Sequence, residues 1–311
     1  MAEIMVEART LGDLIIDDIS HLAVEVTDLD RAGPFWRDVL GLKSIGSDIW
    51  PDCGHHLVFR APSGQSLILA QNANRPDLTD TGVHLALRVG AGFKDRIAGK
   101  LTDAGVEVHR YFEDRPAEEA DNFYFFDPDG NRIQLVDAAG AAGTVTGIDH
   151  AGVQVADILW AEEFYTGVLG VRVEHRMGWS TADYVRARDW AEGKEDMAPG
   201  TRRLDKRYTV MVDRKTVPRA NMQIFLGFGR ATLAVFLANQ HFQEPLEELM
   251  VGTPRVAFTT TAQGLDAAAL TLEQHQIPHD GPVRHPSSAP VGRSLYFKDP
   301  GGNFLELCTP D

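Results

Sequence analysis

The chain has 311 residues, 43% hydrophobic and 24% charged, which is ordinary for a globular protein and about twice the length of one domain, so two domains are expected. A formal net charge of −15 opposes a phosphate backbone, which excludes nucleic acid as the expected partner. No apolar run approaches the ~18 residues of a membrane span, and the N-terminus lacks the basic-then-apolar order of a secretory signal. A cytoplasmic protein that does not engage a membrane is therefore expected. The two cysteines, Cys53 and Cys308, have no C-x-x-C spacing and encode neither a zinc ribbon nor a disulfide framework. Any metal has to rest on histidine and on carboxylate or amide oxygen.

Residues 1–16 read as an N-terminal extension. From there His21, Ala23 and Glu25 alternate with Leu22, Val24 and Val26, which predicts a strand with one apolar face and an opposite face carrying the histidine. Asp28 is placed to cap a helix whose Phe35, Trp36, Val39 and Leu40 recur at helical spacing before Gly41 stops it. His55 and His56 fall in a predicted turn before Leu57-Val58-Phe59 and read as a solvated pair. The stretch from Ser63 to Gln71 reads as a turn and a strand, and Asp127-Pro128-Asp129-Gly130 as a tight turn with proline second and glycine fourth.

The chain then repeats itself. At an offset of 129 residues His21 meets His150, Asp28 meets Asp157, Phe35 meets Phe164 and Gly41 meets Gly170 without a gap. At an offset of 172 residues Tyr124 meets Tyr296, Asp127-Pro128 meets Asp299-Pro300, Gly130-Asn131 meets Gly302-Asn303, and Gln134 meets Glu306. The second copy thus holds an insertion, around residues 176–222, whose Trp179, Tyr184 and Trp190 point to a lid or an oligomer contact. Within each copy the opening strand recurs, as 82–89 in the first and 253–260 in the second. The expected architecture is α+β: four βαβββ modules in two tandem domains, 17–140 and 146–311.

This pattern, with H-x-A-V-x-V-x-D at the start and D-P-x-G-N-x-[LI]-[EQ]-L at the end, resembles the vicinal oxygen chelate superfamily. That superfamily includes glyoxalase I, extradiol ring-cleaving dioxygenases and fosfomycin resistance proteins. The resemblance implies metal cups whose ligands come from the first strand of each module and from a last strand. Carried over, the first domain offers His21, His84 and Gln134, and the second offers His150, Arg255 and Glu306. Neither set is two histidines and a carboxylate. Arg255 cannot ligate a cation, so it implies either a recruited ligand (His175, just past the repeated helix, or His241, just past the strand at 231–238) or an anionic substrate gripped by the guanidinium.

Residues 281–307 are also similar to the extradiol signature, with His285 in the acid/base role, Tyr296 beside the substrate and Glu306 as ligand. The resemblance therefore implies an Fe(II) dioxygenase of aromatic-compound catabolism that opens a catechol-like small molecule with dioxygen. Its metal would sit on His150 and Glu306, and the protein would be a homo-oligomer. Two alternatives stay open. One is a glyoxalase-type isomerase, epimerase or lyase using Mn, Zn, Ni or Co at His21, His84 and Gln134. The other is a metal-free binding protein.

Overall fold

A computed structural model describes residues 16–50, 54–78, 82–110, 123–155, 158–177, 223–237 and 255–310. Residues 178–222 of the expected insertion, His241 and Cys53 lie outside these residues. The βαβββ module occurs four times. The first is β1 (Ile16–Val26), α1 (Leu29–Pro34), β2 (Lys43–Ser47), β3 (His56–Arg60) and β4 (Ser66–Gln71). The second is β5 (His84–Val89), α2 (Phe93–Asp103), β6 (His109–Arg110), β7 (Phe123–Phe126) and β8 (Arg132–Asp137). The third is β9 (Val145–Val155), α3 (Ile158–Glu163), β10 (Arg172–Met177), β11 (Gln223–Phe228) and β12 (Ala231–Leu237). The fourth is β13 (Arg255–Thr260), α4 (Ala262–Gln274), β14 (His279–Arg284), β15 (Arg293–Lys298) and β16 (Phe304–Thr309).

Local chemistry accounts for the elements. The Asp28 carboxylate caps α1 by accepting from the Asp30 N–H. Both α1 and α3 run on into a wider π-type turn, Phe35–Val39 and Phe164–Val168, so the repeat extends to this irregularity. Gly41 and Gly170 then leave the helices at positive φ, the conformation glycine adopts without a Cβ penalty.

The modules combine in an order that the repeat does not announce. One eight-stranded sheet runs β14-β15-β16-β13-β1-β4-β3-β2, the other β10-β11-β12-β9-β5-β8-β7-β6. The first sheet thus joins modules one and four, and the second joins modules two and three. Only residues 138–144 separate β8 from β9, so the chain turns back at once and β9 lies antiparallel to β5. Modules one and four are left to pair through β1 and β13. The pairing of modules, which the sequence leaves open, is decided here: each sheet takes one module from each repeat, so the ligand sets carried over domain by domain do not assemble as grouped.

The apolar faces of both sheets and the four helices share one core that includes Leu22, Trp36, Leu85, Phe93, Tyr165 and Phe258. Phe228 of one sheet stacks on Phe258 of the other, with centroids 4.1 Å apart. The DP-x-GN turns clasp the two modules of each repeat. Asp127 accepts from the Trp36 indole N–H at 3.2 Å and Asp299 from the Tyr165 hydroxyl at 2.8 Å. Asn131 and Asn303 donate to the Glu25 and Gln154 carbonyls. Burial pushes the Asp299 carboxyl up to about 6.

Candidate metal centre

On the second sheet the side chains facing away from the core include His84 of β5, His150 of β9 and Gln134 of β8. Register brings them together, since Ala86 lies opposite both His150 and Gln134, and His84 lies opposite Gly152. The two imidazoles meet edge to face with their Nε2 atoms 3.1 Å apart. His84 Nδ1 is 2.8 Å from the Gly82 carbonyl, and His150 Nδ1 is 2.8 Å from the Asp149 carboxylate. Both partners accept, so each ring donates from Nδ1, and the two Nε2 atoms are left facing each other. Burial, then the neighbouring His150, pushes His84 down to about 3, which keeps it neutral. The buried Gln134 amide reaches the same ring.

Two imidazole nitrogens at this distance share a cation, either a proton carried by one ring or a metal ion held by both. Two imidazole nitrogens each ~2.1 Å from a shared ion, at an angle between octahedral and tetrahedral, would be roughly 3.0–3.4 Å apart, and the spacing here falls in that range. Nδ1 hydrogen bonds to a carbonyl and a carboxylate are also what orients metal-ligating histidines. The residues therefore fit a divalent ion held by two nitrogens and one amide oxygen.

The cradle around His84 is tight. A Cβ at position 152 would come under 3.0 Å from its Nδ1 and Cε1, so only glycine fits opposite the ring. Tyr124 and Phe236 close the flanks with centroids 6.0 and 5.4 Å away. Arg132, two residues before Gln134 on the same strand face, is close enough to act electrostatically on His84, and its guanidinium lies over Phe126 at 5.3 Å. On the far side Asp149 also accepts from Arg88 Nε at 3.0 Å.

The equivalent face of the first sheet is built differently. His21 Nε2 lies 3.1 Å from a Glu306 oxygen. The other Glu306 oxygen accepts from the Ser294 hydroxyl at 2.6 Å, Ser294 Oγ is 2.9 Å from His285 Nε2, and that nitrogen is 3.3 Å from the Tyr296 hydroxyl. Trp50 packs on His21 at 4.6 Å and joins Ala23, Val58, Ile68, Ala257, Val291 and Cys308 in a buried apolar cluster over the site. Cys308 lies close enough to His21 and Glu306 for the three to form a second group that could hold a cation, although burial, then the Glu306 charge, pushes its thiol pKa upward. Arg255 is exposed with its guanidinium 5.2 Å above the Phe304 ring, beside Ala23, not His21.

The structure therefore separates residues that the repeat had grouped. His150 and Glu306 belong to different sheets, and so do His21 and His84. The pairing brings His84 to His150 and His21 to Glu306. His285 and Tyr296 connect to Glu306 through Ser294, which the sequence reading missed. Alternation in Ser294-Leu295-Tyr296 places serine and tyrosine on one face and could have found it. His56 corrects another expectation: it is fully buried on β3, bonded to the Gly54 carbonyl and the Trp50 N–H, because Trp50 folds back over the sheet. His55 is solvated as expected, and His175 is exposed on β10, stacked on Phe225.

Paired βαβββ modules, three of which open on a strand carrying a histidine, define an α+β architecture of two eight-stranded sheets. Residues 18–135 and 147–307 match the Glyoxalase/Bleomycin resistance protein/Dioxygenase superfamily, and the chain belongs to it. It is 27% identical over 124 residues to the glutathione transferase FosA of Serratia marcescens, a match covering 39% of this chain and 81% of that protein. Its fold is similar to that of glyoxalase I from Zea mays, with 15% identity, TM-score 0.58, and 94% and 92% of the two chains covered. It is likewise similar to a candidate dioxygenase from Bacillus subtilis, with 13% identity, TM-score 0.62, and 95% and 86% covered.

Proposed function

We propose that this chain is a metal-dependent enzyme whose site is His84, His150 and Gln134, and that it carries out a redox-neutral reaction on a small molecule bearing two vicinal oxygens. The observation that carries this reading is the pair of Nε2 atoms facing each other at 3.1 Å, with both Nδ1 atoms bonded to acceptors behind the rings. A divalent first-row ion bound there supplies Lewis-acid polarisation of a chelating oxygen. All three side chains are neutral ligands, so the ion's charge is left for the substrate to balance, which favours an anionic chelator. Arg132 adds a cation beside His84 and orients the same anion. Tyr124 and Phe236 wall the site and limit water.

The extradiol reading needs His285 and Tyr296 beside the metal. Both lie on the other sheet, around a Glu306 already satisfied by His21 and Ser294 and covered by Trp50. Isomerisation, epimerisation, elimination or group addition fits the second sheet better, and the likeness to a glutathione transferase makes thiol addition the first member of that set to test.

The test is metal analysis of protein purified without oxygen, in wild type, His84→Ala and Glu306→Ala, followed by oxygen uptake with a catechol panel. The expected result is one equivalent of metal, lost in His84→Ala, kept in Glu306→Ala, with no uptake. Metal lost only in Glu306→Ala, or catechol-dependent uptake, overturns the proposal.

A further inference from the structure

Duplication placed two versions of one arrangement in the same molecule, and comparing them shows where a negative charge has moved. In β1 the register against β13 slips between Ile19 and His21, and in β9 the register against β5 slips between Ile148 and His150. Ser20 and Asp149 are thus equivalent bulge residues. In a regular strand neighbouring side chains point to opposite faces. The bulge brings each to its histidine instead, Ser20 Oγ 3.3 Å from His21 Nδ1 and the Asp149 carboxylate 2.8 Å from His150 Nδ1.

The last strands show the opposite exchange. The His21 site has the carboxylate of Glu306 on its sheet face and a neutral serine behind the ring. The His150 site has the neutral Gln134 on its sheet face and a carboxylate behind the ring. Each site holds one negative charge, displaced in the second from the ligand position to the far side of the imidazole. Arg88 fixes the displaced carboxylate, with Nε on Asp149 Oδ1 at 3.0 Å, while its own NH2 reaches the Arg230 carbonyl at 3.4 Å. The fourth module has Thr259 in the place of Arg88, and Ser20 needs no such clamp.

We propose that Asp149, clamped by Arg88, is a positioning residue that makes His150 a stronger metal donor and so compensates for the carboxylate that Gln134 replaces. The proposal rests on reading His84, His150 and Gln134 as a metal site. A carboxylate accepting from the far nitrogen fixes the tautomer and raises the basicity of the ligating one.

The test titrates Zn(II), and separately Co(II), against a chromophoric chelator in the full-length protein, with urea unfolding to confirm that each variant folds. Asp149→Ser and the isosteric Asp149→Asn are expected to weaken metal binding ~10- to 100-fold, and Arg88→Thr by less. The double variant Gln134→Glu/Asp149→Ser moves the charge to the position it has beside His21, and is expected to recover most of the loss. The Co(II) absorption bands should shift in the single variants and sharpen again in the double one. If wild type binds neither ion, or His84→Ala binds as wild type does, the site reading itself fails and takes this inference with it. If binding depends on His84 but Asp149→Asn matches wild type, only the inference is overturned. A loss in Asp149→Ser without recovery in the double variant also overturns it, since packing would then be the cause.

Discussion

Gly152→Ala tests the crowded seat of His84. The added methyl would sit under 3.0 Å from two atoms of the ring and 3.1 Å from Phe236, where unstrained contacts are 3.4–4 Å. The ring has to move by about 1 Å or tilt, and Tyr124 and Phe236 restrict the escape. Overpacking of this kind costs about 1–3 kcal/mol, and loss of the bond from Nδ1 to the Gly82 carbonyl adds about 1 kcal/mol. A displacement of about 1 Å also takes Nε2 off its aim at His150, and the expected loss of metal affinity is on the order of 100-fold. Urea unfolding and chelator competition read the two quantities. A double-mutant cycle isolates the cause: in a His84→Ala background only the 3.1 Å contact with Phe236 remains, so the stability cost should fall sharply, giving a coupling energy above about 1 kcal/mol. A methyl that costs the same with and without the imidazole, or that leaves metal affinity unchanged, would refute this account of position 152.

Three further outcomes are expected. Adding Zn(II) at one hundred times its dissociation constant should stabilise the protein by about 2.7 kcal/mol in thermal unfolding, with no effect on His84→Ala. Ser294→Ala removes a 2.6 Å donor from buried Glu306, so it should cost about 1–3 kcal/mol in denaturant unfolding while leaving metal affinity at His84 and His150 at the wild-type value. Because burial raises the Asp299 carboxyl to about 6, its folded form holds a proton that the unfolded chain releases near ~4. Its stabilising contribution is complete below pH ~4 and is lost as pH rises to about 6, a change of up to about 3 kcal/mol. Wild type should show that decline relative to Asp299→Asn when both are unfolded in urea across this range.

Much of the fold is legible in the sequence because its signals are local. The alternation of His21, Ala23 and Glu25 against Leu22, Val24 and Val26, the Asp28 cap, the Gly41 stop and the DP-x-GN turns depend on residues close in the chain, and all four modules form as read. The inward His21 was also visible from period two, and the repeat carried that reading to His84 and His150. Asp149 was not, since the same alternation assigns it to the face opposite His150, and only the slipped register reverses that. His56 was misread because the Trp50 main chain that buries it arrives through a fold-back that no periodicity records.

By itself the sequence determined that the chain is a duplication of a βαβββ pair, that each copy opens on a histidine, and that the copies differ at His84 against Arg255 and at Gln134 against Glu306. Only the tertiary structure decided which of these residues meet. Strand pairing is set by which edges find each other in three dimensions, and the short 138–144 link forces β9 onto β5 rather than leaving each repeat to close on itself. That crossing placed two imidazoles and an amide at one site. It left the carboxylate at the other, bonded to a single histidine beneath a tryptophan.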